Sequence, residues 1–114
     1  MTDRGLMIEI YSDVVCPWCY VGKRRLERAL TEFGGGVRVT WRPFQLNPTM
    51  PKDGMDRTAY LEAKFGGRER ADEIYARVRA AGKSVGIDFA FDRIDRQPNT
   101  LDAHRLIAWT QARG

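Results

Sequence analysis

No run of consecutive apolar residues in this sequence approaches the roughly 18 that a membrane-spanning helix requires. The opening residues, Met1-Thr2-Asp3-Arg4-Gly5, lack the basic start, apolar segment and small-residue cleavage site of a secretory signal. A soluble, cytoplasmic protein without membrane partners is therefore expected. Cysteine and histidine are equally scarce, with two cysteines and one histidine in 114 residues. The cysteines, Cys16 and Cys19, stand three positions apart, which excludes the long-range disulfides that staple small secreted folds. A tetrahedral zinc site needs about four nitrogen or sulfur ligands, and only Cys16, Cys19 and His104 are on offer, so no metal is expected. A segregated charge of one sign is also missing. The 19 basic and 15 acidic residues leave a net charge of +4, but the two signs are interleaved, as in Gly67-Arg68-Glu69-Arg70-Ala71-Asp72-Glu73. That is the pattern of a solvated helix face, and no basic stripe interleaved with aromatics marks a nucleic-acid partner. Internal repeats and low-complexity segments are absent.

The patterning that is present describes an α/β protein. Leu6-Met7-Ile8-Glu9-Ile10-Tyr11 is a nearly continuous apolar run, the form of a strand buried on both faces of a parallel sheet. Cys19, Gly22, Leu26, Ala29, Leu30 and Phe33 recur at the spacing of one helix face, and Gly34-Gly35-Gly36 ends that helix. These glycines follow a helix and lack the lysine and hydroxyl of a phosphate loop. Val37, Val39 and Trp41 alternate with Arg38, Thr40 and Arg42, the period of a half-buried strand that Pro43 terminates. A strand, a helix and a strand favour a right-handed parallel crossover.

Beyond the turn-forming stretch from Gln45 to Gly54, helices are expected. Asp56 offers a cap to a short helix stopped by Gly66-Gly67. Ala71, Ile74, Tyr75, Val78, Ala81 and Val85 share the face of a longer one. Residues 87–96 carry no clear period and read as a connection. Asn99 offers a cap to a last helix, with Asp102 in its first turn.

The chemistry concentrates on Cys16-Pro17-Trp18-Cys19. The nucleophile in disulfide exchange is a thiolate. Cys16 falls where a strand gives way to a helix, so unpaired backbone N–H groups and the positive end of the helix dipole should face its sulfur. Pro17 suits the first helical position, which needs no N–H donor. Cys16 is thus the candidate catalytic nucleophile, exposed and with a lowered pKa. Cys19, heading the apolar stripe, is the candidate resolving thiol, shielded against the sheet. Pro17 and Trp18 are candidate substrate-binding residues. Asp13 reads as a helix cap before an influence on thiol deprotonation, His104 as a partly exposed helix residue before a catalytic base, and Trp41 and Trp109 as core or interface residues.

Three separated segments carry a resemblance that covers nearly the whole chain: Ser12-Asp13-Val14-Val15-Cys16-Pro17-Trp18-Cys19-Tyr20-Val21-Gly22, Trp41-Arg42-Pro43-Phe44-Gln45-Leu46-Asn47-Pro48 and Asn99-Thr100-Leu101-Asp102-Ala103-His104-Arg105-Leu106. Together they resemble the DsbA family of thiol-disulfide oxidoreductases, in particular its FrnE-like branch. The resemblance implies an α/β, thioredoxin-like fold with an α-helical insertion after strand 2. Residues 1–50 would form the β-α-β part and residues 51–114 the start of the insertion, so only the N-terminal part of that fold is expected, with association through an exposed strand edge. It further implies exchange with protein thiols and disulfides through Cys16 and Cys19, without a cofactor. Glutathione is a further candidate partner and a homodimer a candidate assembly.

One departure stands out. Ile10 occupies the position, six residues before the first cysteine, where the family places a buried acid, so Cys19 must exchange its proton with another group or water. Two alternatives remain: a glutathione-dependent isomerase or transferase of the hydroxychromene-carboxylate isomerase or kappa-class type, which typically has serine in place of the first cysteine, and a non-catalytic metal- or protein-binding module.

Overall fold

The computed structural model describes residues 5–114; residues 1–4, part of the argument against a signal peptide, lie outside them. β1 (Leu6–Ser12) is followed by α1 (Pro17–Phe33) and β2 (Val37–Pro43). β1 and β2 pair in parallel, in register from Leu6 with Val37 to Ser12 with Pro43, which is the expected crossover. Further on come β3 (Met55–Asp56), α2 (Arg57–Phe65), α3 (Arg68–Lys83), a single 3-10 turn at Phe91–Arg93, β4 (Arg96–Gln97) and α4 (Leu101–Ala112). The mixed α/β, thioredoxin-like architecture is the one expected. Among the described residues, no helix is long and apolar enough to cross a membrane.

The chain divides into two compact units, and their boundary differs from the expected break at residue 50. One unit contains the chain up to Leu46 together with Thr100–Gly114; the other is Asn47–Asn99. α4 therefore belongs with the β-α-β part instead of the insertion. Gln111 and His104 help to hold it there. The Gln111 side chain accepts from the Trp41 N–H at 3.0 Å and donates to the Trp41 carbonyl at 2.8 Å, satisfying a backbone pair of β2. His104 meets Asp13 at 3.1 Å. A pattern of apolar residues carries no trace of such polar side-chain contacts.

Within the first unit, β1 is covered on one face only. Ile8 and Ile10 are half-buried while Met7 and Tyr11 are exposed, so the two-sided burial inferred from the apolar run is corrected. The α1 stripe is corrected too. Val21 is fully buried, Leu26 and Leu30 are half-buried, and Gly22, Ala29 and Phe33 are exposed. Two strands about 4.8 Å apart cover only part of a helix about 10 Å across. The helix keeps its expected limits: Pro17 is its first residue, and Gly34, at φ +67°, closes it with an N–H donated to the Leu30 carbonyl.

The second unit packs Met50, Tyr60, Leu61 and Ala71 into one core, with Met55, Phe65 and Tyr75 against it. Asp56 caps α2, its carboxylate accepting the Ala59 N–H at 3.0 Å, and Gly66 ends that helix. Most of the stretch left as a connection is irregular, but Arg96–Gln97 pairs antiparallel with Met55–Asp56. Gly54 makes this pairing fit: at φ +83°, a Cβ there would lie 2.6 Å from the Gln97 carbonyl oxygen. Asn99 is no cap. Its side chain donates to the Met50 carbonyl at 2.8 Å, and Thr100 holds the N-cap position of α4.

Candidate active site

The end of β1 turns into α1 through a tight bend in which the Cys16 N–H reaches the Asp13 carbonyl at 3.1 Å. That bend places Cys16 at the N-cap of α1, where its Sγ accepts the Cys19 N–H at 3.4 Å. The sequence located the helix start correctly. It assigned the cap to the wrong residue, because the bend turns the Asp13 side chain away from the helix end and into the unit. Asp13 is only 2% exposed. One carboxylate oxygen accepts the Leu46 N–H at 2.9 Å and the other lies 3.1 Å from His104 Nε2. His104, expected at the surface, is only 6% exposed.

Cys16 and Cys19 are free thiols, and both residues are half-buried, so the expected contrast of an exposed and a shielded cysteine is absent. The electrostatics also differ from expectation. Burial, followed by the hydrogen bond shared with Cys19, pushes the Cys16 thiol above its ordinary range, although the N–H groups of Cys19 and Trp18 pull the other way. Burial also disfavours the Cys19 thiolate, but the Asp13 N–H, the Ser12 hydroxyl and the Cys16 thiol outweigh it, so Cys19 lies below its ordinary range. The donors that favour a thiolate on Cys19 converge at the end of β1. The helix terminus favours a Cys16 thiolate less than the sequence argument assumed, because burial of the sulfur outweighs the N–H groups of Cys19 and Trp18.

A cavity of about 400 Å³ opens beside the pair. Its lining includes Ser12, Asp13, Cys16, Cys19, Trp41 and His104. Trp18, 48% exposed, stands outside this lining, and Pro17 is half-buried. The sequence favours Asp13 as a cap and His104 as a surface residue, and does not bring the two together. Their signal was present in that both fall inside the motif segments, but nothing in the spacing says that they meet. Among the described residues no group of three or more His, Cys, Asp or Glu is disposed to hold a metal ion.

A strand, a helix opening on a Cys-Pro-Trp-Cys pair and a parallel second strand are the parts of a thioredoxin-type redox domain. The chain belongs to the DsbA-like thioredoxin domain family, whose profile matches residues 7–114, and so to a family of thiol-disulfide oxidoreductases. It is 50% identical over 93 residues to YwbO of Bacillus subtilis (strain 168), a protein described as uncharacterized; the match covers 82% of this chain and 42% of that one. It is also similar to the crystal structure of the probable DsbA oxidoreductase SCO1869 from Streptomyces coelicolor, with a TM-score of 0.81 and 36% identity. That match covers 96% of this chain and 48% of the other. The chain therefore spans about half the length of the relatives it matches.

Proposed function

We propose that the chain exchanges disulfides with protein thiols, as a dithiol-disulfide oxidoreductase or isomerase of the FrnE-like branch. The observation that carries this reading is the pairing of Cys16 at the helix N-cap with a Cys19 whose thiolate is favoured by three donors. A thiol of lowered pKa is the better leaving group. When a substrate thiolate attacks Cys16 in the oxidised pair, a bond forms from the substrate sulfur to Cys16, the Cys16–Cys19 bond breaks, and Cys19 departs with the electron pair. In the reverse direction the Cys19 thiolate attacks Cys16 in the mixed disulfide and expels the substrate. Cys16 is the sulfur that bonds to substrate and Cys19 the one that leaves and resolves.

Exposed Trp18, with Pro17 beside it, supports a role for both in contacting a polypeptide substrate. Glutathione is a smaller thiol that fits the same chemistry. No metal or organic cofactor enters the proposed cycle. The reading includes a cytoplasmic setting, checked by cell fractionation, and a homodimer, supported by exposed Met7 and Tyr11 on β1 and checked by sedimentation.

A redox titration in glutathione buffers tests the reading. The expected result is reversible two-electron conversion between the dithiol and a Cys16–Cys19 disulfide, followed by differential thiol labelling. Two thiols that remain independently labelled across the whole glutathione range would overturn it.

A further inference from the structure

The Asp13 carboxylate poses a problem for the proposed exchange. It is buried, and its negative charge opposes a thiolate on Cys19, whose sulfur the Asp13 N–H itself contacts. Ile10, on the strand that leads to the pair, is apolar and offers no proton acceptor. The group that answers Asp13 is His104, at 3.1 Å, from a different helix.

We propose that Asp13 and His104 form a charge-compensating pair for Cys19, in which His104 takes up a proton as Cys19 is released as a thiolate and returns it as Cys19 re-forms a disulfide. This rests on the exchange reaction proposed above. In the forward step the substrate thiol gives up its proton as its sulfur bonds to Cys16. The Cys16–Cys19 bond breaks, Cys19 takes the electron pair, and one proton is added to His104, so the charge gained by sulfur is matched within the unit. In the reverse step the Cys19 thiolate bonds to Cys16, the substrate sulfur leaves with the electron pair, and His104 gives up the proton that this sulfur takes. The cavity that Cys16, Cys19, Asp13 and His104 all line is large enough for water to carry the proton between them. Asp13 touches the reacting sulfur through its N–H. His104, held by Asp13, carries the compensating proton.

The other titratable or charged side chains around the cavity are Cys16, Tyr20 and Lys23 of α1, and Arg42 of β2. Arg42 is held by Glu9 at 2.8 Å and Lys23 by Glu27, both pairs being exposed. Neither cation touches Asp13, whose carboxylate is engaged by Leu46 and His104.

His104 is the single histidine of the sequence, so its ring resonance in NMR needs no assignment. In the full chain its titration midpoint should lie higher in the reduced than in the oxidised protein, by about half a pH unit, because a thiolate beside the pair favours the imidazolium. Identical midpoints in the two states would overturn the proposal.

Alkylation of Cys19 against pH in a Cys16→Ser background gives a second, signed readout. Asp13→Asn, which keeps an acceptor for Leu46, should lower the Cys19 midpoint by about one pH unit, while His104→Gln should raise it. A merely structural role would move both midpoints in the same direction or neither, and either result would count against the pair. If His104→Gln does not fold, the NMR comparison still decides, since it alters neither residue. Failure of the glutathione titration with a His104 midpoint that still follows Cys19 alkylation would reject the exchange reaction and leave the coupling in place.

Discussion

At the scale of single residues, the site depends on polar contacts that cross long stretches of sequence. Cys16, Pro17 and Cys19 were legible because their spacing and the proline fix the start of a helix. The partners of Asp13 were not. A buried carboxylate with two neighbours looks, in sequence, like any aspartate before a helix, since only the bend from Asp13 to Cys16 decides which way it points. The same gap explains the reversal of the thiol electrostatics. The N–H of Asp13 and the hydroxyl of Ser12 serve Cys19, and neither is visible from the helix position alone. Thiolate fraction rises with pH through each midpoint, and Cys19 lies below and Cys16 above the ordinary value. In the reduced protein, brief iodoacetamide treatment at mildly acidic pH should therefore label Cys19 ahead of Cys16, as read by peptide mass. Labelling of Cys16 first would restore the helix-terminus argument. Val21, 0% exposed, is the residue by which α1 grips its unit. Val21→Ala should cost about 2 kcal/mol in urea unfolding, from two lost methyl groups and the cavity they leave.

At the scale of elements, the helices and the parallel pair were readable because each follows a local rule: apolar periodicity, a glycine stop, or a cap such as Asp56. The failures share a cause. Burial on both faces of β1 and the full stripe of α1 assumed a sheet wide enough to cover them, and the described sheet has two strands. Short strands are harder still. β3 and β4 are two residues each, too few for alternation to register, and their pairing depends on a close approach at Gly54. Gly54→Ala would meet both an unfavourable backbone conformation and the Gln97 carbonyl. It should destabilise the second unit by about 2 kcal/mol or more, seen as earlier loss of amide-exchange protection at Arg57, whose N–H bonds to the Asp95 carbonyl. Unchanged protection would mean that the β3–β4 pairing contributes little.

At the scale of the whole molecule, the resemblance gave the architecture and the family, while the division into units came only from the structure. α4 stands far from Cys16 in sequence, yet it brings His104 to the cavity beside the cysteines. A boundary placed where an insertion is expected to leave β2 does not anticipate a segment that returns to the first unit. The unit that carries the cysteines is thus built from both ends of the described chain. The central claim is that Cys16 bonds to the substrate and Cys19 releases it, and trapping of mixed disulfides tests it most directly. Each single-serine variant of the full chain is incubated with thiol proteins and resolved by non-reducing electrophoresis with mass identification. Cys19→Ser should accumulate covalent complexes through Cys16 because nothing resolves them, and Cys16→Ser should accumulate fewer, because a Cys19 of lowered pKa is readily expelled again. Complexes trapped through Cys19 alone, or none in either variant, would contradict the account.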